Sequence, residues 1–222
     1  MIDATCPNCG AAVHFRTPAL PVKICDYCRT TLVRSGEVLQ AMGKVAEVPE
    51  DVSPLQIGTR GKDGTGFELI GRIRMRWSGG GWNEWLALFD DGSTGWLSEA
   101  MGRFMLLRAM PYAGFRTDAV RQVRDDEPIA LGAEATIDGV KYRVNDVKDA
   151  TFAGSEGELP FSTPADTPIR SVDLMAPGGE CASIQKDRGE VSVYAGRYVT
   201  LAEIAATHLR AFDGWPMPSF AA

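Results

Sequence analysis

Two Cys-x-x-Cys pairs, Cys6-Pro7-Asn8-Cys9 and Cys25-Asp26-Tyr27-Cys28, are the residues of this 222-residue chain most clearly spaced for chemistry. Each pair can wrap one side of a single ion, and Gly10 permits a tight turn after the first. Four soft thiolates complete a tetrahedral shell without an imidazole, so one structural Zn2+ held by Cys6, Cys9, Cys25 and Cys28 is predicted. A redox role would leave one pair unexplained, and neither pair sits in a βαβ pattern. His14 is surplus to a complete thiolate set and is expected at the surface or behind a ligand.

No second constellation of this quality follows. The chain has two histidines, His14 and His208, and lacks a Gly-x-Ser-x-Gly elbow, a phosphate-binding lysine loop and a Gly-x-Gly-x-x-Gly turn ahead of a helix. Gly154-Ser155-Glu156-Gly157-Glu158 is only superficially elbow-like, because its central residue is glutamate. Cys181, between Gly178-Gly179-Glu180 and Ala182-Ser183-Ile184, reads as a buried strand residue. No catalytic residue is assigned, and a non-enzyme is favoured. Glu84, Glu156, Glu158 and Asp173 form a candidate ligand set, an acidic pocket suited to a cationic small molecule; the plainer reading is a polar loop kept soluble by charge. Arg72, Arg74 and Arg76, with Trp82 and Trp85 nearby, form a candidate partner-binding face. Its plainer reading is a solvated strand face matched by Glu68, Glu84, Asp90 and Asp91.

The elements that must position these residues are mostly strands. Residues 1–34 read as a zinc ribbon, with Ala11, Val13 and Phe15 alternating on one strand and the residues around Ile24 and Leu32 on others. Residues 35–54 read as a polar linker, punctuated by Pro49 and Pro54. In a first β repeat at 55–108, Phe67, Leu69, Gly71, Ile73, Met75 and Trp77 alternate with Glu68, Ile70, Arg72, Arg74 and Arg76, which predicts one buried and one solvated face. Asp90-Asp91-Gly92 marks a hairpin. Residues 109–128 read as a connecting segment, either a linker or an extra strand at 119–123.

Residues 129–214 repeat the first unit. Leu55-Gln56-Ile57-Gly58 ahead of Phe67 resembles Ile129-Ala130-Leu131-Gly132 ahead of Tyr142, and Gly102-Arg103-Phe104-Met105 resembles Gly196-Arg197-Tyr198-Val199. The second unit is longer, mainly between Gly154 and Gly179. Thr200 and Glu203 form a capping box ahead of Leu201, Ile204, Ala205, His208, Leu209 and Phe212, which predicts a short closing helix. The apolar tail, 215–222, is expected to fold back on the body or to serve as a docking peptide. The expected fold is mainly β: the ribbon, two related small β-barrel or β-sandwich-like repeats, and a short C-terminal helix.

A net charge of −6 argues against a nucleic-acid partner, which normally requires a basic face. No run approaches the roughly 18 apolar residues of a membrane span, so no membrane insertion is expected. Four cysteines in metal spacing with one to spare fit the reducing cytoplasm.

Taken together, the ribbon cysteines, Leu55-Gln56-Ile57-Gly58-Thr59-Arg60-Gly61, Trp82-Asn83-Glu84-Trp85, Phe89-Asp90-Asp91-Gly92, Gly95-Trp96-Leu97, Gly154-Ser155-Glu156-Gly157-Glu158-Leu159-Pro160, Asp173-Leu174 and Tyr194-Ala195-Gly196-Arg197-Tyr198 carry a resemblance. The chain resembles the bacterial domain-of-unknown-function family 4178, in the form with an N-terminal zinc ribbon. The resemblance also takes in Gly43-Lys44-Val45-Ala46 with Pro49. It implies an accessory role in a polyamine-related bacterial system, because similar proteins are encoded near polyamine-synthase-like enzymes and small membrane proteins. It assigns no activity to particular residues. The chain departs from the family's usual second repeat at Ser183, where threonine is expected, and at Lys186, where tyrosine is expected.

The resulting expectation is a non-enzymatic binding or adaptor protein that presents a protein-docking surface. The alternatives are an enzyme or enzyme accessory that binds a cationic small molecule through the acidic set, and a nucleic-acid-associated ribbon protein.

Overall fold

The computed structural model describes residues 2–45, 48, 51–111, 117–162 and 164–221. Ala46 and Pro49 of the expected linker, and Arg116 of the connecting segment, lie outside them.

The N-terminal module pairs β1 (Ile2–Thr5) with β2 (Ala12–Phe15), followed by β3 (Val22–Ile24), β4 (Thr30–Ser35) and β5 (Val38–Lys44). Part of the stretch read as a polar linker is thus an edge strand. Gly36, at φ 61°, makes the tight turn that sets Ser35 opposite Val38.

The body carries β6 (Arg60–Asp63), β7 (Thr65–Trp77), β8 (Gly80–Phe89), β9 (Thr94–Ala100), β10 (Arg103–Ala109), α1 (Asp118–Arg124), β11 (Glu134–Ile137), β12 (Val140–Leu159), β13 (Pro168–Met175), β14 (Glu180–Asp187) and β15 (Glu190–Val199). The Asp90-Asp91-Gly92 hairpin forms as its sequence predicts: the Phe89 amide donates to the Ser93 carbonyl, and Gly92 adopts φ 82°.

The two repeats do not close separately. Antiparallel pairing runs β7–β8–β9–β10–β15–β14–β13–β12 and returns from β12 to β7, a circuit of eight strands drawn equally from both repeats. One seam pairs Phe104 with Val199 and Met105 with Tyr198, so segments that match in sequence lie side by side. The other depends on β12, whose first half pairs with β13 and whose second half pairs with β7. Glycine is required there. A Cβ on Gly71 would stand 1.9 Å from the Glu158 carbonyl oxygen, and Gly157, at φ 74°, packs its α-carbon against Ile70 and Gly71.

Three apolar clusters flank and fill this circuit. One packs Leu69, Trp85, Leu97 and Leu106 beneath Ile204, Ala206 and Leu209 of the C-terminal segment. A second packs Ile137, Tyr142, Leu174 and Ile184 beneath Ala119, Val120 and Val123 of α1. The third joins Ile73, Met75, Trp96, Phe152 and Ile169 of the body to Leu20 and Val22 of the N-terminal module. Among the described residues no helix is long and apolar enough to cross a membrane.

Two further sequence expectations are corrected. The stretch read as linker or strand at 119–123 is α1; Thr117 caps it by accepting a hydrogen bond from the Val120 amide, and the apolar residues 119, 120 and 123 share one helical face. Conversely, the expected C-terminal helix stops after one turn. The capping box does form, with Thr200 and Glu203 each donating a backbone amide to the other's side chain. Ala205 then turns the chain at φ 46°, and Thr207 exchanges two backbone hydrogen bonds with Arg60 beside β6. Pairing with a strand edge overrides the helical stripe. In the tail, Trp215 stacks on Phe212 and packs against the first cluster, while Met217 and Phe220 remain exposed.

Candidate metal centre and interior cavity

The two Cys-x-x-Cys turns are built alike. Cys6 and Cys25 each donate a backbone amide across the turn, to Ala11 and Thr30, and each accepts one, from Gly10 and Arg29. Gly10 and Arg29 occupy equivalent left-handed positions at φ 79° and 60°. This likeness brings four sulfurs together within 4.8 Å of one another. Cys6 Sγ lies 3.7 Å from Cys28 Sγ, and Cys9 Sγ lies 3.9 Å from Cys25 Sγ. A tetrahedron with Zn–S bonds of about 2.3 Å has an edge of about 3.8 Å, so the four thiols fit one structural zinc ion. Cys28 is drawn down to about 5 by the Thr30 and Asn8 side chains. Cys9 is held up at about 12, the downward pull of the Ala11 amide being outweighed by neighbouring sulfurs and burial. Four sulfurs this close cannot all carry charge without a cation among them. His14 stands apart, its Nδ1 2.6 Å from Asp3 Oδ1.

The metal module is tied to the body through Glu158. Both Glu158 carboxylate oxygens accept from the Arg16 amide, at 2.9 and 3.0 Å, and β3 pairs with β12 at Lys23 and Glu158. Arg16 also pairs with Glu68, and Arg29 donates to the Ser155 carbonyl at 3.2 Å. Glu158 is 1% exposed, and burial pushes its carboxyl above the usual range. Replacement by alanine orphans the Arg16 amide and is expected to weaken module docking by about 1–3 kcal/mol. Amide exchange should quicken in β3 and β4 with zinc content unchanged; unaltered exchange would remove Glu158 from this role.

The arginines expected on an open strand face are largely enclosed. Arg72 is 6% exposed, bonding to Asn83 Oδ1 through Nε at 3.0 Å and Nη2 at 2.8 Å, pairing with Asp51 at 2.7 Å, and lying over the Trp85 ring at 4.7 Å. Arg74 reaches the same Asp51 oxygen at 3.2 Å. Burial raises the Asp51 carboxyl, but the Asn83 and Arg72 hydrogen bonds and the two arginine charges outweigh it and hold it low. Trp85, 1% exposed, donates Nε1 to Glu99 Oε2 at 3.0 Å. A bulge between Leu69 and Gly71 shifts the alternation, which places Arg72 among buried groups. Only Arg76 stays open, paired with Asp166.

Of the four acidic candidates, Glu84 alone lines the interior cavity, and the charge of Asp173 acts on it from β13. Glu156 faces Arg72 at 3.3 Å, and Glu158 fastens the metal module. Glu84 sits opposite Ser98 on β9, and its Oε1 accepts from Ser98 Oγ at 3.0 Å and from Trp82 Nε1 at 2.8 Å. Burial, with the nearby Asp173 charge, pushes the Glu84 carboxyl up to about 7. Asp173, which accepts from Ser183 Oγ at 2.8 Å, is raised by burial to about 6.

Glu84 lines a cavity of about 320 Å³ to which all eight strands of the circuit contribute. Its walls include Trp96, Phe152, Phe161 and Tyr194, and its mouth carries Asp187, Arg188 and Glu190. None of these residues was named as a site residue from the sequence, although Trp96 and Tyr194 stand in the motifs that carry the family resemblance. The signal for their position was local: Trp82-x-Glu84 and Trp96-x-Ser98 have matching alternation on adjacent strands, so all four side chains point to one face. Cys181 is fully buried, and burial followed by the Asp173 charge lifts its thiol to about 12.

The family described as a domain of unknown function (DUF4178) matches residues 56–201, which hold the whole strand circuit. No curated protein and no solved structure matches the chain.

Proposed function

Because this chain belongs to the DUF4178 family, whose matched region is the strand circuit enclosing the cavity, we propose that it is a non-enzymatic binding protein that takes a small molecule there. One observation carries the reading: a buried carboxylate lines a cavity walled by aromatic side chains from both repeats. Well-formed apolar cavities with few convergent polar groups are the usual form of ligand sites. Among the described residues no histidine or cysteine lines the cavity. His14 is on the metal module, and Cys181, although on β14, holds its proton too tightly to act as a thiolate. The metal shell is filled by four thiols, which suits a structural ion rather than one that activates water.

The test uses the small-molecule fraction of a bacterial extract. Added to the full-length, zinc-loaded protein, it is expected to raise Tm and to leave a retained mass in native spectra. Ala109→Trp, at the exposed cavity rim, should abolish both effects. No stabilisation and no retained mass in the unaltered protein would overturn the reading.

A second reading, protein docking by the metal module, has its own support. β5 is the outer strand of its sheet and carries exposed Val38 and Met42, with Tyr27 also exposed on this module. Unpaired strand edges are ready templates for another chain. A partner captured by the full chain and released by Val38→Lys with Met42→Lys would support it; capture indifferent to both changes would not.

A further inference from the structure

We propose that the interior cavity selects a small organic monocation, one ammonium group on an apolar body, with Glu84 as its counter-ion. This rests on the reading of the cavity as a ligand site and adds the class of ligand.

The argument begins with what Glu84 lacks. Both hydrogen bonds it receives, from Trp82 Nε1 and Ser98 Oγ, fall on Oε1; among the described residues Oε2 accepts none, although the side chain lines the cavity. The residue is 6% exposed, and a carboxylate so far from bulk water is unfavourable without a paired charge. Among the described residues no lysine or arginine charge acts on it. The charge that does is Asp173 on β13, of the same sign. The other strands facing the cavity present apolar residues such as Ile73, Met75, Leu107 and Phe152 and the uncharged polar side chains of Thr94, Gln185, Ser192 and Tyr194. At the mouth, Asp187 and Glu190 stand against Arg188, which is itself paired with Asp187 at 3.0 Å. The cavity therefore offers negative charge at its mouth and at Glu84, with no free cation of its own to neutralise it.

The walls narrow the class further. Aromatic faces attract an ammonium group through the ring quadrupole, and they also receive an apolar body. A polar neutral ligand would leave those faces idle, and an anion would meet three carboxylates against one guanidinium. A linear polycation would need carboxylates at intervals along the walls, whereas the wall between Glu84 and the mouth is mainly aromatic and aliphatic. A volume of about 320 Å³ has room for roughly ten water-sized groups, enough for an aryl-alkyl amine.

Only the ionised form of Glu84 can serve as counter-ion. Its carboxyl titrates near 7, so affinity for an amine should rise about tenfold from pH 6 to pH 8.

The experiment titrates phenethylamine, 2-phenylethanol and 3-phenylpropanoate into the full-length, zinc-loaded protein by calorimetry at pH 6 and pH 8. At pH 8 the amine is expected to bind at least tenfold more tightly than the alcohol, and the acid not at all. Glu84→Gln retains an acceptor for Trp82 and Ser98, and should bring the amine down to the level of the alcohol and flatten its pH dependence. Phe161→Leu, at the wall, should weaken the amine several-fold and the alcohol less. Equal binding of amine and alcohol, indifferent to Glu84→Gln, overturns the cation assignment and leaves the ligand site standing. Preference for the acid, or no binding by any of the three probes, also overturns it. Failure of the bacterial extract as well would remove the ligand site itself.

Discussion

Stripping zinc with a strong chelator should unfold most of residues 2–35 while the strand circuit stays folded. The apolar cluster around the metal is small: Val13, Phe15 and Leu32 pack with Cys6 and Cys25, while the buried Leu20 and Val22 belong to the cluster shared with the body. Four short strands cannot offset their own chain entropy from such a core. A structural zinc ion contributes about 10–16 kcal/mol of apparent free energy in modules of this kind. The circuit, by contrast, has three clusters that owe nothing to the metal, although one of them recruits Leu20 and Val22. Metal analysis should find one zinc per chain, and hydrogen exchange after chelation should lose protection in β1, β2 and β4 but keep it in β8, β9, β14 and β15. Cys25→Ser should reproduce the pattern. Near-zero metal with four freely titratable thiols in the native protein would overturn the zinc assignment.

Glu84→Gln is expected to stabilise the protein at pH 8 and to leave it nearly unchanged at pH 4. Burial raises the folded carboxyl to about 7 from an ordinary value of 4.5, so the folded protein holds this proton more tightly than the unfolded chain. The stability contributed by the protonated group is fully present below about 4.5 and is lost as pH rises toward 7. At about 1.4 kcal/mol per pKa unit the loss amounts to roughly 3 kcal/mol, which a neutral glutamine avoids. Asp173 is raised by burial in both proteins, so the difference between them reports Glu84 together with its coupling to Asp173. Urea midpoints at pH 4 and pH 8 measure that difference. A variant destabilised more at pH 8 than at pH 4 would show that Glu84 is ionised and well partnered in the fold.

The parts of this molecule legible from sequence were those set by local chemistry. The metal site followed from spacing, because two Cys-x-x-Cys turns impose their own geometry. Most strands followed from alternation, and Asp90-Asp91-Gly92 announced its hairpin. What stayed hidden depended on pairing between distant residues. Arg72 looked solvated because alternation was projected through a bulge at Leu69 and Gly71. Glu158 looked like part of a polar loop because its partner, the Arg16 amide, lies 142 positions away. The C-terminal segment carried a capping box and a helical stripe, yet contact with the edge of β6 turned it aside after one turn. The cavity needed all eight strands in register before its lining could be named.

The seams of the circuit join residues some 75 to 95 positions apart, whereas the hairpins within each repeat join near neighbours. Loop-closure entropy makes such distant pairings late events in folding. The hairpins of each repeat should therefore form first and the seams last, and the cavity comes into being only at that final step. Neither half of the chain holds a weaker version of it. A nascent or truncated product that stops before β15 exposes the unpaired edges of β10 and β14, where another incomplete copy can add its own strand. For this protein, incomplete synthesis is a route to aggregation rather than to partial function.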